Sequence, residues 1–272
     1  MDGSGDVIVK VEEGIAWLIL SRPETRNGVD AGFVNGAVAA LDDLPSDVRA
    51  LVLAGEGPAF SVGAELVQFH AALCAGRADQ DLAPLLTAMH TVTRRLWTLP
   101  YPTITAVEGA AAGAGVGLAC ATDLRVVGES TVFVPAFCAI GLSPDSGTSY
   151  HLTRALGPVA ANAAFLRNRR IGAAELRACG LADEVVPDGE VWAAAQRLAL
   201  EVAGAAPGAL LATRRLVDAA PTHRFDEHLD AEERAIRSLW NGADVLEGVT
   251  AFIERRRPVF GRSGQTERPD RP

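Results

Sequence analysis

Hydrophobic positions alternate or run together over Val7 to Val11 and again over Ile15 to Leu20, and the polar step Glu12-Glu13-Gly14 between them predicts a β-hairpin at the start of the fold. Asp30 then precedes apolar residues at helical spacing, Phe33, Val34, Ala37, Val38 and Leu41, which predicts a capped amphipathic helix. Arg49 to Gly55 reads as a short strand buried on both faces, because Ala50-Leu51-Val52-Leu53-Ala54 offers no polar side. The same strand, turn and helix cadence returns at Thr103 to Val107 and at Leu124 to Val127. Short buried strands recurring between helices predict an α/β fold of stacked ββα or βα units with near-parallel strands.

Between the second and third units, Glu65 to Trp97 is polar-punctuated, and its second half carries Leu82, Leu85, Leu86, Met89, Thr93 and Leu96 on one helical face. His90 falls at the edge of that stripe, beside Leu86 and Trp97. It is either an ordinary helix-edge histidine or one that looks into a pocket from the core margin. From Pro207 the pattern is almost wholly helical, broken at Pro221 and ending near Pro258. Residues 1–204 are therefore expected to form the core, and residues 205–272 a helical packing and assembly region.

With 49% hydrophobic and 22% charged residues in a chain of 272, the sequence reads as globular and large enough to bury a full core. Its formal net charge of −9 argues against a nucleic-acid partner, since only Arg255-Arg256-Arg257 forms a basic run. That run reads as a solvated helix end or a local anion contact. Cys74, Cys120, Cys138 and Cys179 have no paired spacing, so neither a disulfide framework nor a metal site is expected. The start, Met1 to Asp6, lacks a basic and apolar leader, and no apolar run reaches the ~18 residues of a membrane span. A cytoplasmic protein without membrane partners is the expectation.

The chemistry concentrates in three segments. Phe133 to Gly147 places one carboxylate, Asp145, in an otherwise apolar, turn-rich stretch, where its charge is costly unless used. Glu108 to Leu118 is an apolar strand running through a glycine-rich turn into a helix, which can aim free backbone N–H groups at an anion. It fails as a dinucleotide fingerprint, because Leu118 stands where the third glycine is needed. Ala59 to Leu66 follows a strand, and its small residues let the N–H of Ala64 point at a ligand. With the turn Gly113-Ala114-Gly115 it supplies two donors for one carbonyl oxygen, each worth about 3–4 kcal/mol to a developing oxyanion. A base beside an anion hole suggests enolate chemistry.

These blocks carry a resemblance. Together with Ser21-Arg22-Pro23-Glu24, Asn27, Pro102 to Asp123 and Ala174 to Val186, they make the chain similar to the crotonase (enoyl-CoA hydratase/isomerase) superfamily over about Val7 to Phe260. The resemblance implies a spiral of ββα units with a C-terminal helical trimerisation region, forming homotrimers or hexamers. It implies an acyl-CoA thioester whose carbonyl sits between the N–H groups of Ala64 and Ala114, with Gly113 shaping the turn. Coenzyme A would be part of the substrate, with no other cofactor. Arg22, Arg26 and Phe260 match positions near the coenzyme in the family, and Phe137 and His90 positions near the acyl group. Glu65, next to a donor, would brace its loop or line the coenzyme channel.

The two catalytic glutamates of the hydratases align with Gly117 and Phe137, neither of which can move a proton, so simple hydration is disfavoured. Asp145, in Ile140-Gly141-Leu142-x-Pro144-Asp145-Ser146-Gly147, instead resembles the proton shuttle of ring-1,2-epoxyphenylacetyl-CoA isomerases and related enoyl-CoA isomerases. One base suffices to move a double bond, and apolar neighbours such as Phe137 and Leu142 should raise its pKa. A competing similarity, through Asp145-x-x-Thr148-Ser149-Tyr150-x-Leu152-x-Arg154, is to 4-chlorobenzoyl-CoA dehalogenase, with Asp145 as nucleophile and His90 as base. There the aromatic cage departs, with Met89, Leu82, Ala64 and Phe137 in place of aromatic residues or a tryptophan. A non-catalytic acyl-CoA-binding protein is the reading from a different class.

Overall fold

The computed structural model describes residues 6–261; the reading of the first five residues as lacking a leader lies outside them. The chain divides into two compact units at Leu200/Glu201.

In the first unit the expected hairpin is present. β1 (Val7–Glu12) pairs antiparallel with β2 (Ile15–Leu20) across Glu13 and Gly14, both in left-handed backbone. Asp30 caps α1 (Ala31–Asp42) by accepting the N–H of Phe33 at 2.9 Å. β3 (Ala50–Gly55) and β5 (Thr103–Val107) are buried at every position, and β7 (Leu124–Gly128) at nearly every one. With β10 (Glu184–Val186) they complete a six-stranded sheet in the order β1-β2-β3-β5-β7-β10, parallel from β2 onward. Parallel strands covered on both faces need no polar side, which is why their sequences run apolar rather than alternate.

After each inner strand the chain makes a second, shorter one. β4 (Ala59–Ser61) follows β3, β6 (Ala110–Ala112) follows β5, and β8 (Val132–Val134) follows β7; with β9 (Ile171–Gly172) they form a separate four-stranded sheet. Each turn of the chain thus adds one strand to each sheet and then a helix, which is the ββα spiral. Strands of three residues are too short to show periodicity, so only the first strand of each pair is visible in the hydropathy pattern.

The polar-punctuated stretch forms two helices, α2 (Leu66–Cys74) and α3 (Ala78–Thr98), parted around Gly76. The face of α3 that is fully buried comprises Met89, Val92 and Leu96; Leu86 at its outer end is 41% exposed, so the apolar stripe reaches the core only in its second half. α4 (Ala114–Cys120) is buried along its whole length, and α5 (Thr148–Leu166) is kinked at Gly157. α6 (Ala173–Ala178) and α7 (Val191–Ala203) follow, Trp192 of α7 stacking on Trp17 at 5.1 Å.

The second unit holds α8 (Pro207–Ala219), α9 (Phe225–Leu239) and α10 (Ala243–Glu254). α8 and α9 bury no residue in the single chain, and α10 buries only Ala251.

Candidate active site

The donor loop after β4 is shaped by buried polar bonds. Asn27, in left-handed backbone and fully buried, donates its amide to the carbonyls of Glu56, Ala59 and Phe60 at 2.9–3.0 Å, and its Oδ1 accepts the N–H of Arg22 at 2.8 Å. Ser61 Oγ donates to the carbonyl of Asn27 at 2.8 Å and accepts the N–H of Gly63 at 3.2 Å. Val29 then bridges the loop: its N–H donates to Gly63 O at 2.7 Å, and its carbonyl accepts the N–H of Glu65 at 3.0 Å. In such a parallel bridge the residue between, Ala64, turns its own N–H away from Val29. That N–H has no acceptor among the described residues.

The loop lies against the start of α4. A β-carbon on Gly63, whose φ is +79°, would stand 2.7 Å from Ala112 O and 3.0 Å from the amide nitrogen of Ala114. Only glycine permits this approach. Gly113 precedes the helix, donating its N–H to Val134 O at 3.0 Å. Ala114 is the first helical residue, and its N–H is one of the orphan donors of a helix start. The free N–H groups of Ala64 and Ala114 are thus held on adjoining backbones.

About one turn along α4 from Ala114, Gly117 faces the segment after Pro144. A β-carbon there would meet Ser146 O at 2.4 Å and Thr148 Oγ1 at 2.7 Å. No side chain fits, so the absence of a glutamate at this position is matched by the backbone that fills its space. Asp145 precedes that contact. Its Oδ1 is buried without a hydrogen-bond partner, as are Ser146 Oγ and Thr148 Oγ1. Burial pushes the Asp145 carboxyl above the ordinary carboxylate range, while the nearby Ser146 hydroxyl, and the His90 imidazole when it carries a proton on both nitrogens, act in the opposite sense without cancelling it.

His90, on α3, reaches this turn: its Nε2 accepts the N–H of Ser146 at 3.4 Å. Behind it, the His151 ring packs on Gly147 and beside Trp97, and burial, with help from Arg125 and Arg154, lowers its pKa to about 4. Phe137 is 6% exposed and belongs to the same hydrophobic cluster as Met89 and Ala114.

The remaining candidates are placed differently. Glu65 caps α2, accepting the N–H groups of Val67 at 3.3 Å and Gln68 at 2.9 Å. Arg22 is occupied within the fold: its guanidinium pairs with Asp30 at 2.6 Å, lies 3.6 Å from Asp6 and donates to Gly28 O. Burial would raise the Asp30 pKa, but the Phe33 N–H and Arg22 outweigh it and hold that carboxyl below its usual range. Arg22 thus braces the loop rather than facing outward for a phosphate. Arg26 is exposed, in left-handed backbone, with no ion pair among the described residues. Phe260 belongs to the second unit, where it packs against Gly248 of α10. The positioning roles of Asn27 and Gly63 are not legible in the sequence, where Asn27 is only part of a motif and Gly63 one of several small residues in its loop.

Among the described residues no group of three His, Cys, Asp or Glu side chains could hold a metal, and no helix is long and apolar enough to cross a membrane.

Residues 10–263 match the family model described as enoyl-CoA hydratase/isomerase. The chain belongs to this family. It is 34% identical to a probable enoyl-CoA hydratase of Rhodobacter capsulatus, over 92% of this chain and 96% of that one. It is 32% identical to the 1,2-epoxyphenylacetyl-CoA isomerase of Escherichia coli, over 93% and 97%. Among solved structures, an enoyl-CoA hydratase from Polaromonas sp. JS666 superposes with a TM-score of 0.89 at 31% identity, covering 94% of this chain and all of that one. The fold is therefore the crotonase fold, and the protein is an enzyme of that superfamily. Relatives bear both hydratase and isomerase names, so the choice of reaction rests on the side chains of the site.

Proposed function

We propose that the protein is an acyl-CoA isomerase that moves a double bond through an enolate. The thioester oxygen would lie between the N–H groups of Ala64 and Ala114, and Asp145 would take a proton from the α-carbon and return it at the γ-carbon. The observation that carries this reading is the half-buried Asp145 carboxyl, whose Oδ1 is enclosed without a hydrogen-bond partner and whose neighbour Ser146 packs against Gly117 of α4, one turn from Ala114. A base with a raised pKa is matched to a weakly acidic C–H, and two preorganised donors lower the cost of the oxyanion. Hydration would require acid and base groups where Gly117 and Phe137 stand.

The hydrolytic reading, with Asp145 as nucleophile and His90 activating water, is weakened by the His90–Ser146 bond. With its Nε2 lone pair directed at a backbone N–H, the imidazole does not offer that nitrogen to water. We also propose assembly as a trimer or a pair of trimers, supported by the apolar side chains that α8 to α10 leave exposed.

The test is deuterium exchange at the α-carbon of a 3-enoyl-CoA, together with its conversion to the 2-isomer. Asp145→Asn is expected to lower both by at least about 100-fold, with acyl-CoA binding retained. Full exchange in Asp145→Asn would remove Asp145 from the mechanism. A covalent ester on Asp145 trapped with a haloaryl-CoA would establish the hydrolytic reading instead.

A further inference from the structure

The turn that carries Asp145 is an unfavourable piece of backbone. Ser146 has φ +53° and Gly147 φ +79°, two consecutive left-handed residues of which the first is not glycine. Such a turn persists only where its surroundings over-determine it. Three contacts do so: the Thr148 N–H donates to Asp145 O at 2.9 Å, the missing side chain of Gly117 admits the Ser146 carbonyl, and His90 Nε2 accepts the Ser146 N–H. Thr148 Oγ1, which is buried, has no hydrogen-bond partner among the described residues, and the Ser146 hydroxyl acts on the Asp145 carboxyl rather than on the backbone of the turn. His90 supplies the side-chain hydrogen bond that reaches the backbone of this turn from another element. It is presented by a firmly held helix, since Met89 and Val92 on either side of it lie in the core.

We propose that His90 is a positioning residue for the isomerisation: as a neutral imidazole with its proton on Nδ1, it holds the Ser146 N–H through Nε2. It thereby fixes the Asp145 carboxylate over the reacting carbons without taking a proton itself. The inference rests on the isomerase reading above. It gives His90 a duty that neither a substrate-facing histidine nor a hydrolytic base would have. It also explains how a half-buried histidine lies beside the catalytic carboxylate without sharing its proton transfer.

Three variants, assayed with a 3-enoyl-CoA, test it. His90→Leu removes the acceptor and should lower kcat about tenfold to 100-fold, as expected when a base is misplaced by an ångström or less, with KM changed less than about twofold. His90→Gln can return an amide oxygen to the place of Nε2 and should recover most of kcat, with the acid limb of the pH profile unchanged. Wild-type kcat in His90→Leu would overturn the proposal. So would His90→Gln as slow as His90→Leu, which would mean that imidazole chemistry itself is required.

Nitrogen NMR of histidine-labelled wild-type protein gives a readout independent of how the variants fold. The Nδ1–H tautomer is expected at His90, and a proton on Nε2 at neutral pH would overturn the proposal. Asp145→Asn in the same panel separates the two failures. If it stays active, the isomerase reading fails; if it is silent while His90→Leu is fast, only the positioning role fails.

Discussion

At Asp145 the proposed function and stability pull apart. Burial holds its folded pKa above the unfolded value of 3.8, so the folded protein keeps its proton to higher pH than the unfolded chain does. Stability from this residue is therefore present at low pH and lost as pH rises through the raised pKa. At neutral pH the charged carboxylate is a cost. Asp145→Asn should raise Tm at pH 7, by an amount that shrinks as pH falls toward the ordinary carboxylate pKa, while catalysis disappears. For the wild type, kcat/KM should fall on the acid side through a pKa above 3.8, because the base must be ionised to act. An Asp145→Asn variant with an unchanged or lower Tm at pH 7 would contradict the assigned cost of burial.

Gly117 gives a second expectation. Restoring the acidic side chain of the hydratases by Gly117→Glu should not create a hydratase, because its β-carbon would have to occupy the space 2.4 Å from Ser146 O. Overpacking of this kind costs about 2 kcal/mol. The Asp145 turn would be displaced, so the proposed isomerase activity should fall with stability in denaturant titration. A stable variant that hydrates a 2-enoyl-CoA would show that the turn is freer than its packing implies.

The donor loop is built by an element-level device that hydropathy does not display. β4 and the connection before it are tied through Asn27, whose amide serves the carbonyl of Glu56 and those of Ala59 and Phe60 in β4, and whose own carbonyl receives the Ser61 hydroxyl. Asn27→Ala would strand those buried acceptors and place alanine at φ +56°. The expected loss is about 2–4 kcal/mol in denaturant titration. Because the loop ends at Ala64, acyl-CoA affinity should weaken as well. An Asn27→Ala protein with wild-type stability would show that the loop is held elsewhere.

Across the whole molecule, the second unit leaves several large apolar side chains exposed within one chain. Phe225, Leu246 and Phe252 are 76%, 71% and 85% exposed, and Trp240, Val249 and Ile253 are also exposed. Exposed apolar side chains in this number are what the proposed assembly would cover. Sedimentation at micromolar concentration should give three or six chains, and Phe252→Glu should shift the population toward smaller species. A wild-type monomer under those conditions would refute the assembly.

The sequence by itself determined the elements with enough length to show a period. The β1–β2 hairpin, the Asp30 cap, the buried strands β3, β5 and β7, and the C-terminal helices all follow from local patterning, since each is specified by neighbours along the chain. It also marked Asp145 as a lone carboxylate among apolar residues. Only the tertiary structure decided what surrounds these groups. The three-residue strands exist because a partner strand lies beside them. Gly63 and Ala114 meet across about fifty residues, Ser146 fills the space at Gly117, and His90 reaches Ser146 from another helix. Arg22, which looked available in sequence, is already paired with Asp30. The physical reason is common to all of these. A hydropathy period reports which face of an element is buried, whereas close approach, hydrogen-bond partnership and pKa depend on segments that the fold brings together from far apart.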